Sequence, residues 1–361
     1  MKRVLLALFI SIVAILSSAT RSYSQGSVGD FLKGGLSDAE LLAREYLRPL
    51  GHGLGASLNS GWFNTGRVHR TLGFNITVTA SGTLIQDTDR MFDLSKLAFE
   101  NLQLRNPAQT IAPTIAGQQD IRPVLYFSRA FPPANNQVTI LEFTSPDGFD
   151  LPIVPTPMVR VGVGIPGRME VFGRFVPQVE FDGHVASLWG AGLKLDLKQL
   201  LPIVRRVPFV NISILGAYSM LNANFNLDVQ RNIYPTTVSG VPVTGGRQYY
   251  DNQFFEIKSS GYTFNLITSV DIPFISAFAS IGYASSNTSF HLRGDYPILS
   301  VTPPTATIID VTNPLALYYE NPGEVQMIVG ATLKLALLHI HAAYTLARNP
   351  IATVGIGISF R

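Results

Sequence analysis

The chain has 361 residues, of which 27 are basic, 24 are acidic and none is cysteine. Charged residues make up only 14% of it, against about 25% in an ordinary soluble domain, while the mean hydropathy is +0.23. This composition excludes a disordered tail and a small disulfide scaffold, and it is not that of an ordinary cytoplasmic enzyme.

The first 24 residues predict an export signal that is cleaved between Ser24 and Gln25. Two basic residues precede the apolar stretch 4–16, which is shorter than the roughly 20 residues of a membrane-spanning helix. Residues 1–24 carry three of the 27 basic residues and no acidic one, so the remainder has 24 of each. The sequence isoelectric point near 9.0 therefore does not indicate nucleic-acid binding.

Most of the remaining chain alternates between apolar and polar residues, which is the pattern of a β-strand with one apolar face. The alternation is clearest in 73–85, 168–181 and 324–348. Two uncharged stretches, 207–227 and 272–292, contain too many Asn and Ser residues for membrane helices and are interpreted as long strands. The polar faces carry mainly Thr, Ser, Asn and Gly, whereas a soluble sandwich would expose Lys and Glu.

These features predict an all-β protein, namely a transmembrane antiparallel up-and-down barrel of about twelve strands, with a range of about 10 to 14. A soluble sandwich is the alternative. Long connections all fall at one end of the proposed barrel and tight turns at the other. The proposed crossings are 54–66, 73–86, 91–104, 157–165, 168–181, 184–197, 208–227, 252–271, 274–294, 323–336, 338–348 and 352–361.

A short helix is predicted before the barrel. Ser37 and Glu40 have the spacing of a capping box, and the helix is expected to run to Arg48 and to stop at Pro49. Residues 25–66 could form a cap in the periplasm or a hatch inside the lumen, with 54–66 as a possible first strand. The barrel domain is expected to occupy 67–361.

The segments 53–65, 69–74 and 330–342 resemble an uncharacterised outer-membrane barrel family of the Bacteroidota. That layout is loosely similar to the FadL-type transporters of long-chain fatty acids and aromatic hydrocarbons. In those proteins an N-terminal hatch lies in the barrel, and ligands leave sideways at a kinked strand. The resemblance implies a hatch at about 25–66 in this chain.

Ten polar residues are expected to line the lumen, either as structural ion pairs or as a constriction that selects solutes. They are Glu170, Arg174, Gln178, Glu180, Lys194, Asp196, Glu324, Lys334, His339 and His341. Glu170 and Arg174 are expected to pair with each other. Pro177 removes a ladder hydrogen bond within a strand and is the candidate for a kink or lateral opening.

No catalytic, cofactor or metal site stands out. The stretch 162–167 matches a dinucleotide-binding pattern, but a turn and a strand follow it where that site needs a helix. His339 and His341 share a strand face but have no carboxylate at ligand spacing.

We expect passive transport of small hydrophobic molecules across the outer membrane, with Phe92, Phe99 and Phe131 as a capture patch. The alternatives are a non-transporting structural or interaction barrel and, third, an outer-membrane lipid hydrolase that uses His341. We expect no enzymatic activity and no cofactor. The expected partners are outer-membrane lipid, a hydrophobic ligand and the assembly machinery that reads the C-terminal strand, but not nucleic acid.

Overall fold

A computed structural model describes residues 32, 35–131, 136–181, 183–238 and 240–360. The predicted leader, its cleavage site and Arg361 lie outside these residues. Within them, no helix combines the length and the hydrophobicity that a bilayer-spanning helix needs.

Ten antiparallel strands form a closed barrel in which neighbours along the chain are neighbours in the sheet. The ring closes because the first strand pairs with both the second and the last, so that Phe74 lies opposite Val163 on one side and opposite Phe360 on the other. The strands are β1 (Phe74–Leu84), β2 (Ile153–Ile165), β3 (Met169–Phe181), β4 (His184–Asp196), β5 (Val210–Asn226), β6 (Phe254–Asp271), β7 (Ile275–Arg293), β8 (Leu315–Leu335), β9 (Leu338–Leu346) and β10 (Ile351–Phe360).

The two faces of the barrel wall differ in chemistry, as the alternation predicts. Inward positions are buried and mainly polar, as on β1, where Asn75, Thr77, Thr79, Ser81 and Thr83 all point into the lumen. Outward positions carry large exposed apolar side chains, among them Val163, Phe264, Leu266, Ile281, Val329, Leu333, Ile340 and Ile356. The predicted fold class, a barrel of the membrane-spanning type, is confirmed, and the soluble sandwich is excluded.

Ten of the twelve predicted crossings are barrel strands. The stretch 91–104 instead contains the short strands Met91–Asp93 and Leu102–Leu104, which lie in a long connection. The stretch 54–66 is helical up to Leu58 and irregular after it. The predictions of crossings at these two stretches are wrong, because a few alternating residues fit a short loop strand or a buried irregular segment as well as they fit a barrel strand.

The connections divide the barrel into two ends. The loop end carries the long connections 85–152, 227–253 and 294–314. The turn end carries the shorter connections 166–168, 197–209, 272–274 and 336–337.

The three long connections fold together into a structure that we call the loop cap. It contains small sheets, among them a four-stranded one built from Thr237–Val238, Val241–Gly245, Asp295–Thr302 and Thr305–Thr312. Its apolar side chains form one core with the side chains at the loop end of the lumen. Phe92 is buried in this core and Phe99 packs against it, so the prediction of an exposed capture patch is wrong for both.

Helix α1 (Leu36–Leu58) runs inside the barrel from the loop end towards the middle. It begins after Gly35 and has no side-chain cap, so the predicted capping box does not form. Asp38 instead accepts three hydrogen bonds of 2.8 Å from the backbone N–H groups of residues 100–102 in the loop cap. This contact ties the start of the helix to the first long connection.

The helix continues through Pro49, where the sequence predicted its end. Pro49 is buried, and packing against the barrel wall offsets the cost of a helical proline. The glycines that follow allow close approach to the wall. A Cβ on Gly51 would lie 2.5 Å from the ring of Tyr319, and a Cβ on Gly55 would lie 2.5 Å from Ser286 Oγ. The glycine-rich composition therefore suits a helix in a narrow lumen.

Candidate functional site

The segment 36–73, which we call the plug, fills the lumen and ends at the turn end, where β1 begins. One buried arginine of the wall holds its centre. Arg174 on β3 donates to the carbonyl oxygens of Leu58 (2.8 Å) and Ser60 (2.5 Å). Its guanidinium also lies 3.9 Å from the centroid of the Trp62 ring, which is 1% exposed. The arginine thus satisfies carbonyls that the irregular backbone after the helix leaves without partners.

A second buried arginine, Arg160 on β2, approaches the carbonyl oxygen of Gly61 at 3.4 Å. Its guanidinium carbon lies 5.2 Å from the ring centroid of Phe172. Two of its nitrogens, Nε and Nη2, have no hydrogen-bond partner among the described residues. Arg160 was not among the predicted lumen residues, because the alternation of 153–165 is dominated by Val and Gly.

A buried ion pair links two neighbouring strands below these arginines. Glu170 on β3 and Lys194 on β4 are directly opposite in register, and the Lys194 Nζ lies 2.8 Å from Glu170 Oε2. The predicted pair of Glu170 with Arg174 does not form. Residues four apart on one strand are about 13 Å apart, so the cross-strand partner is much nearer.

Glu170 also binds the plug. His69 Nδ1 lies 2.7 Å from Glu170 Oε1, and His69 Nε2 lies 2.9 Å from Ser359 Oγ on β10. The side chains of His69 and Glu170 are 1% and 0% exposed, while Ser359 is partly exposed. A hydroxyl, an imidazole and a carboxylate are therefore joined in one chain of hydrogen bonds.

A second anchor lies nearby at the turn end. Asp271 accepts hydrogen bonds from Lys334 Nζ (2.6 Å) and Asn211 Nδ2 (2.8 Å). It also accepts one from Thr65 Oγ1 of the plug at 3.1 Å. Lys334 was predicted to face the lumen, whereas Asp271 was not singled out because it is the last residue of a strand.

A cavity of about 660 Å³ opens at the turn end, and we call it the vestibule. Four cationic side chains line it, those of Arg67, Arg70, Arg168 and Lys198, against two acidic ones, Asp196 and Asp271. His69 forms part of its wall. Of the predicted residues, Asp196 lies here, at the mouth and not deep in the lumen.

The remaining predicted residues divide into two groups. His339 and His341 are buried on the inner face, with ring centroids 6.3 Å apart, and Glu324 is partly buried beside a cavity of about 10 Å³. Gln178 and Glu180 are exposed, and their prediction as lumen residues is wrong. The register of β3 shifts between Val176 and Val179, which breaks the alternation at this point.

That register shift contains Pro177, the residue predicted to mark a kink. The bulge lies near the loop end of β3, where four apolar side chains form a small cluster on the inner side, those of Leu58, Met158, Val176 and Leu188. No cluster of three or more His, Cys, Asp or Glu side chains that could hold a metal exists among the described residues.

Three solved structures match about four fifths of this chain. The translocator domain of the autotransporter NalP from Neisseria meningitidis is 7% identical, with a TM-score of 0.30, covering 81% of this chain and 90% of that one. The outer membrane protease OmpT from Escherichia coli is 7% identical, with a TM-score of 0.31, covering 80% and 96%. CdiB from Acinetobacter baumannii is 10% identical, with a TM-score of 0.22, covering 80% and 60%.

These likenesses concern the fold alone. The expectation that this chain is not an enzyme is corrected, because a barrel fold by itself gives no ground for excluding catalysis. No curated protein matches the chain in sequence. The model of a family described as a family of unknown function, DUF6588, matches residues 1–360, and the chain therefore belongs to that family.

Proposed function

We propose that the protein is inserted in the bacterial outer membrane with its loop cap outside and its turn end in the periplasm. The apolar belt on the outer face supports this placement, as does the expected export signal. In outer-membrane barrels the longer connections are extracellular and the tight turns periplasmic. Outer-membrane lipid would cover the belt, and β10 would be the segment that the assembly machinery reads.

We infer that the barrel is closed and acts as a structural or interaction protein of the cell surface. The observation that carries this inference is the filling of the lumen by the plug from the loop end to the turn end. The cavity beside the helix, lined by residues such as Asn59 and Asn321, measures about 10 Å³, which holds about one water molecule.

The loop cap is the part that would meet partners outside the cell. It has its own sheets and shares one apolar core with the loop end of the plug, so it is a folded surface and not a set of separate loops. Tyr46 shows the connection, since its hydroxyl donates to the carbonyl oxygen of Asp147 at 2.7 Å. A binding surface supported in this way keeps its shape, which favours specific recognition.

Passive transport of small hydrophobic molecules is the second candidate. The bulge at Pro177 favours it, because an apolar cluster lies directly behind a point where the ladder between β3 and β4 is interrupted. The FadL-type resemblance predicts a lateral exit at such a kink. This function requires the plug to move, because Leu58 of the plug is part of the cluster.

A disulfide between plug and wall separates the two candidates. Ser57 Oγ and Thr156 Oγ1 are 2.5 Å apart, and the chain has no cysteine of its own. The double variant Ser57→Cys, Thr156→Cys can therefore be oxidised to lock the plug to β2 and reduced to release it. The readout is uptake of the hydrophobic dye N-phenylnaphthylamine by intact cells, with each single-cysteine variant treated identically as a control.

A closed barrel predicts the same dye uptake for the wild type, the oxidised double variant, the reduced double variant and cells without the protein. Uptake that is present in the reduced form and lost on oxidation would contradict the closed barrel and favour transport. Higher dye uptake in cells with the wild-type protein than in cells without it would also contradict the closed barrel.

A further inference from the structure

The contacts of His69 at the turn end have the geometry of a nucleophile–base–acid chain. The two hydrogen bonds, 2.9 Å to Ser359 Oγ and 2.7 Å to Glu170 Oε1, lie within the range found for such groups. The three residues come from the plug, from β10 and from β3. They meet only because the plug lies between two strands of the closed barrel.

The carboxylate partner fixes one proton of the His69 ring. A carboxylate only accepts hydrogen bonds, so His69 Nδ1 carries a proton and donates it to Glu170. Lys194 Nζ lies 2.8 Å from the same carboxylate and supplies it with a positive charge, and the proposed chemistry uses the neutral form of the imidazole. In a neutral ring, Nε2 then has the lone pair that accepts a hydrogen bond from the Ser359 hydroxyl.

We propose that Ser359, His69 and Glu170 form a hydrolytic site for carboxylic esters that carry a negative charge. Ser359 Oγ attacks the ester carbonyl carbon while its proton passes to His69 Nε2. The leaving alcohol takes that proton as its bond to the carbonyl carbon breaks, and an acyl-serine remains. Water then attacks the acyl group and gives a proton to His69, which returns it to Ser359 as the carboxylic acid leaves.

A donor for the developing oxyanion lies across the strand pair. Asn75 is directly opposite Ser359 in register and buried on the inner face. Its Oδ1 accepts a hydrogen bond from Thr77 Oγ1 at 3.0 Å, while its Nδ2 donates to no acceptor among the described residues. Directly opposed side chains are close enough to contact the same small group, so this amide can stabilise the negative oxygen.

The vestibule gives the site its charge preference. His69 lies in its lining, and Ser359 is partly exposed, one residue from the end of β10 at the turn end. Within the part of the chain that the structure describes, Arg67, Arg70 and Arg168 form no ion pair. Their unneutralised charges favour an ester with a carboxylate or phosphate group nearby.

Labelling with a fluorophosphonate probe tests the nucleophile directly, because this reagent reacts with activated serine hydroxyls. The folded protein in detergent is treated with the probe, and the modified residue is found by mass spectrometry. We expect labelling at Ser359, its loss in Ser359→Ala, and a fall of about 100-fold or more in labelling rate in His69→Gln. The control is Ser81→Ala, which removes an inward hydroxyl that is bonded to Thr353 on the same strand pair.

Hydrolysis of mono-p-nitrophenyl succinate, compared with the neutral p-nitrophenyl acetate, tests the ester and its charge. We expect kcat/KM to be higher for the anionic ester and that advantage to shrink in Arg70→Gln. A change in gel mobility between unheated and heated samples shows which variants are folded. A folded wild type that is not labelled at Ser359, or whose ester hydrolysis is unchanged in folded Ser359→Ala, would overturn the proposal. Neither result would depend on whether the lumen opens.

Discussion

Arg174 of the barrel wall and Trp62 of the plug stack with 3.9 Å between the guanidinium carbon and the ring centroid, and both are buried. The same guanidinium donates to two carbonyl oxygens of the plug. A cation above an aromatic ring in a water-poor lumen is a strong contact, and it fixes the irregular segment that follows α1. We therefore expect Arg174 to be a main anchor of the plug in the closed barrel that we propose.

Replacing this arginine should loosen the plug. Arg174→Ala removes the donor to the Ser60 carbonyl and leaves the Leu58 carbonyl with only a 3.3 Å hydrogen bond from Ser219 Oγ. It also removes the cation–π contact, so we expect a loss of about 2–4 kcal/mol in the free energy of unfolding. The temperature at which folded protein converts to the slow-migrating unfolded form on gels measures the effect. Arg205→Ala, at an exposed site in a turn-end connection, is the control and should not change it. Equal stability of both variants would show that Arg174 does not anchor the plug.

Removing one partner of the buried pair Glu170 and Lys194 should lower the free energy of unfolding more than removing both partners. Lys194→Met leaves a buried carboxylate without its main counter-charge and should cost about 3–5 kcal/mol. The double variant Glu170→Gln, Lys194→Met removes both charges and should recover part of that loss. Urea unfolding in detergent gives the free energies, and a double variant as unstable as the sum of the singles would contradict the pairing.

The close packing of α1 against the barrel wall predicts that a glycine-to-alanine substitution in this helix lowers stability, whereas the same change in an ordinary helix raises it. Gly→Ala within a helix normally stabilises by about 1 kcal/mol. Gly51→Ala should instead destabilise by about 1–3 kcal/mol, because its Cβ would lie 2.5 Å from the Tyr319 ring. Gly173→Ala, on strand β3, is a control for the added methyl group, since nothing lies within 4 Å of its added Cβ. Stabilisation by Gly51→Ala in thermal unfolding would mean that the helix does not pack against Tyr319.

The plug also has a direction that labelling can test. Ser37 is exposed at the loop end and Arg70 is exposed at the turn end. Because the chain has no cysteine, Ser37→Cys and Arg70→Cys each introduce a single reactive thiol. In intact cells a membrane-impermeant maleimide should label the first, and should label the second only after the outer membrane is permeabilised. The reverse pattern would contradict the proposed orientation.

Much of the barrel follows from the sequence, because period-two alternation depends only on the contrast between lipid and lumen. It gives ten strands correctly and brings Glu170 and Lys194 to the same inner face. It fails where the pattern is short, as in 91–104, and where a proline and glycines suggest a break, as around Pro49. Predicting 91–104 correctly requires knowledge of how the loops pack. Predicting the helix through Pro49 requires knowledge of how narrow the lumen is.

The candidate site was harder to predict from the sequence than the barrel. His69 and Ser359 are 290 positions apart and meet only because β10 pairs with β1 and the plug passes beside that seam. Neither residue stands in a local sequence motif that predicts a site, since Ser359 lies in an ordinary alternating strand. The third alternative, a hydrolase that uses His341, stays a prediction, and both ring nitrogens of His341 lack hydrogen-bond partners among the described residues.

Single-channel recording in planar bilayers tests the closed lumen most directly. The account predicts no steady ion conductance from the folded wild-type barrel, and brief openings from Arg174→Ala, in which the plug has lost its central anchor. A stable conductance from the wild type, unchanged in Arg174→Ala, would contradict it.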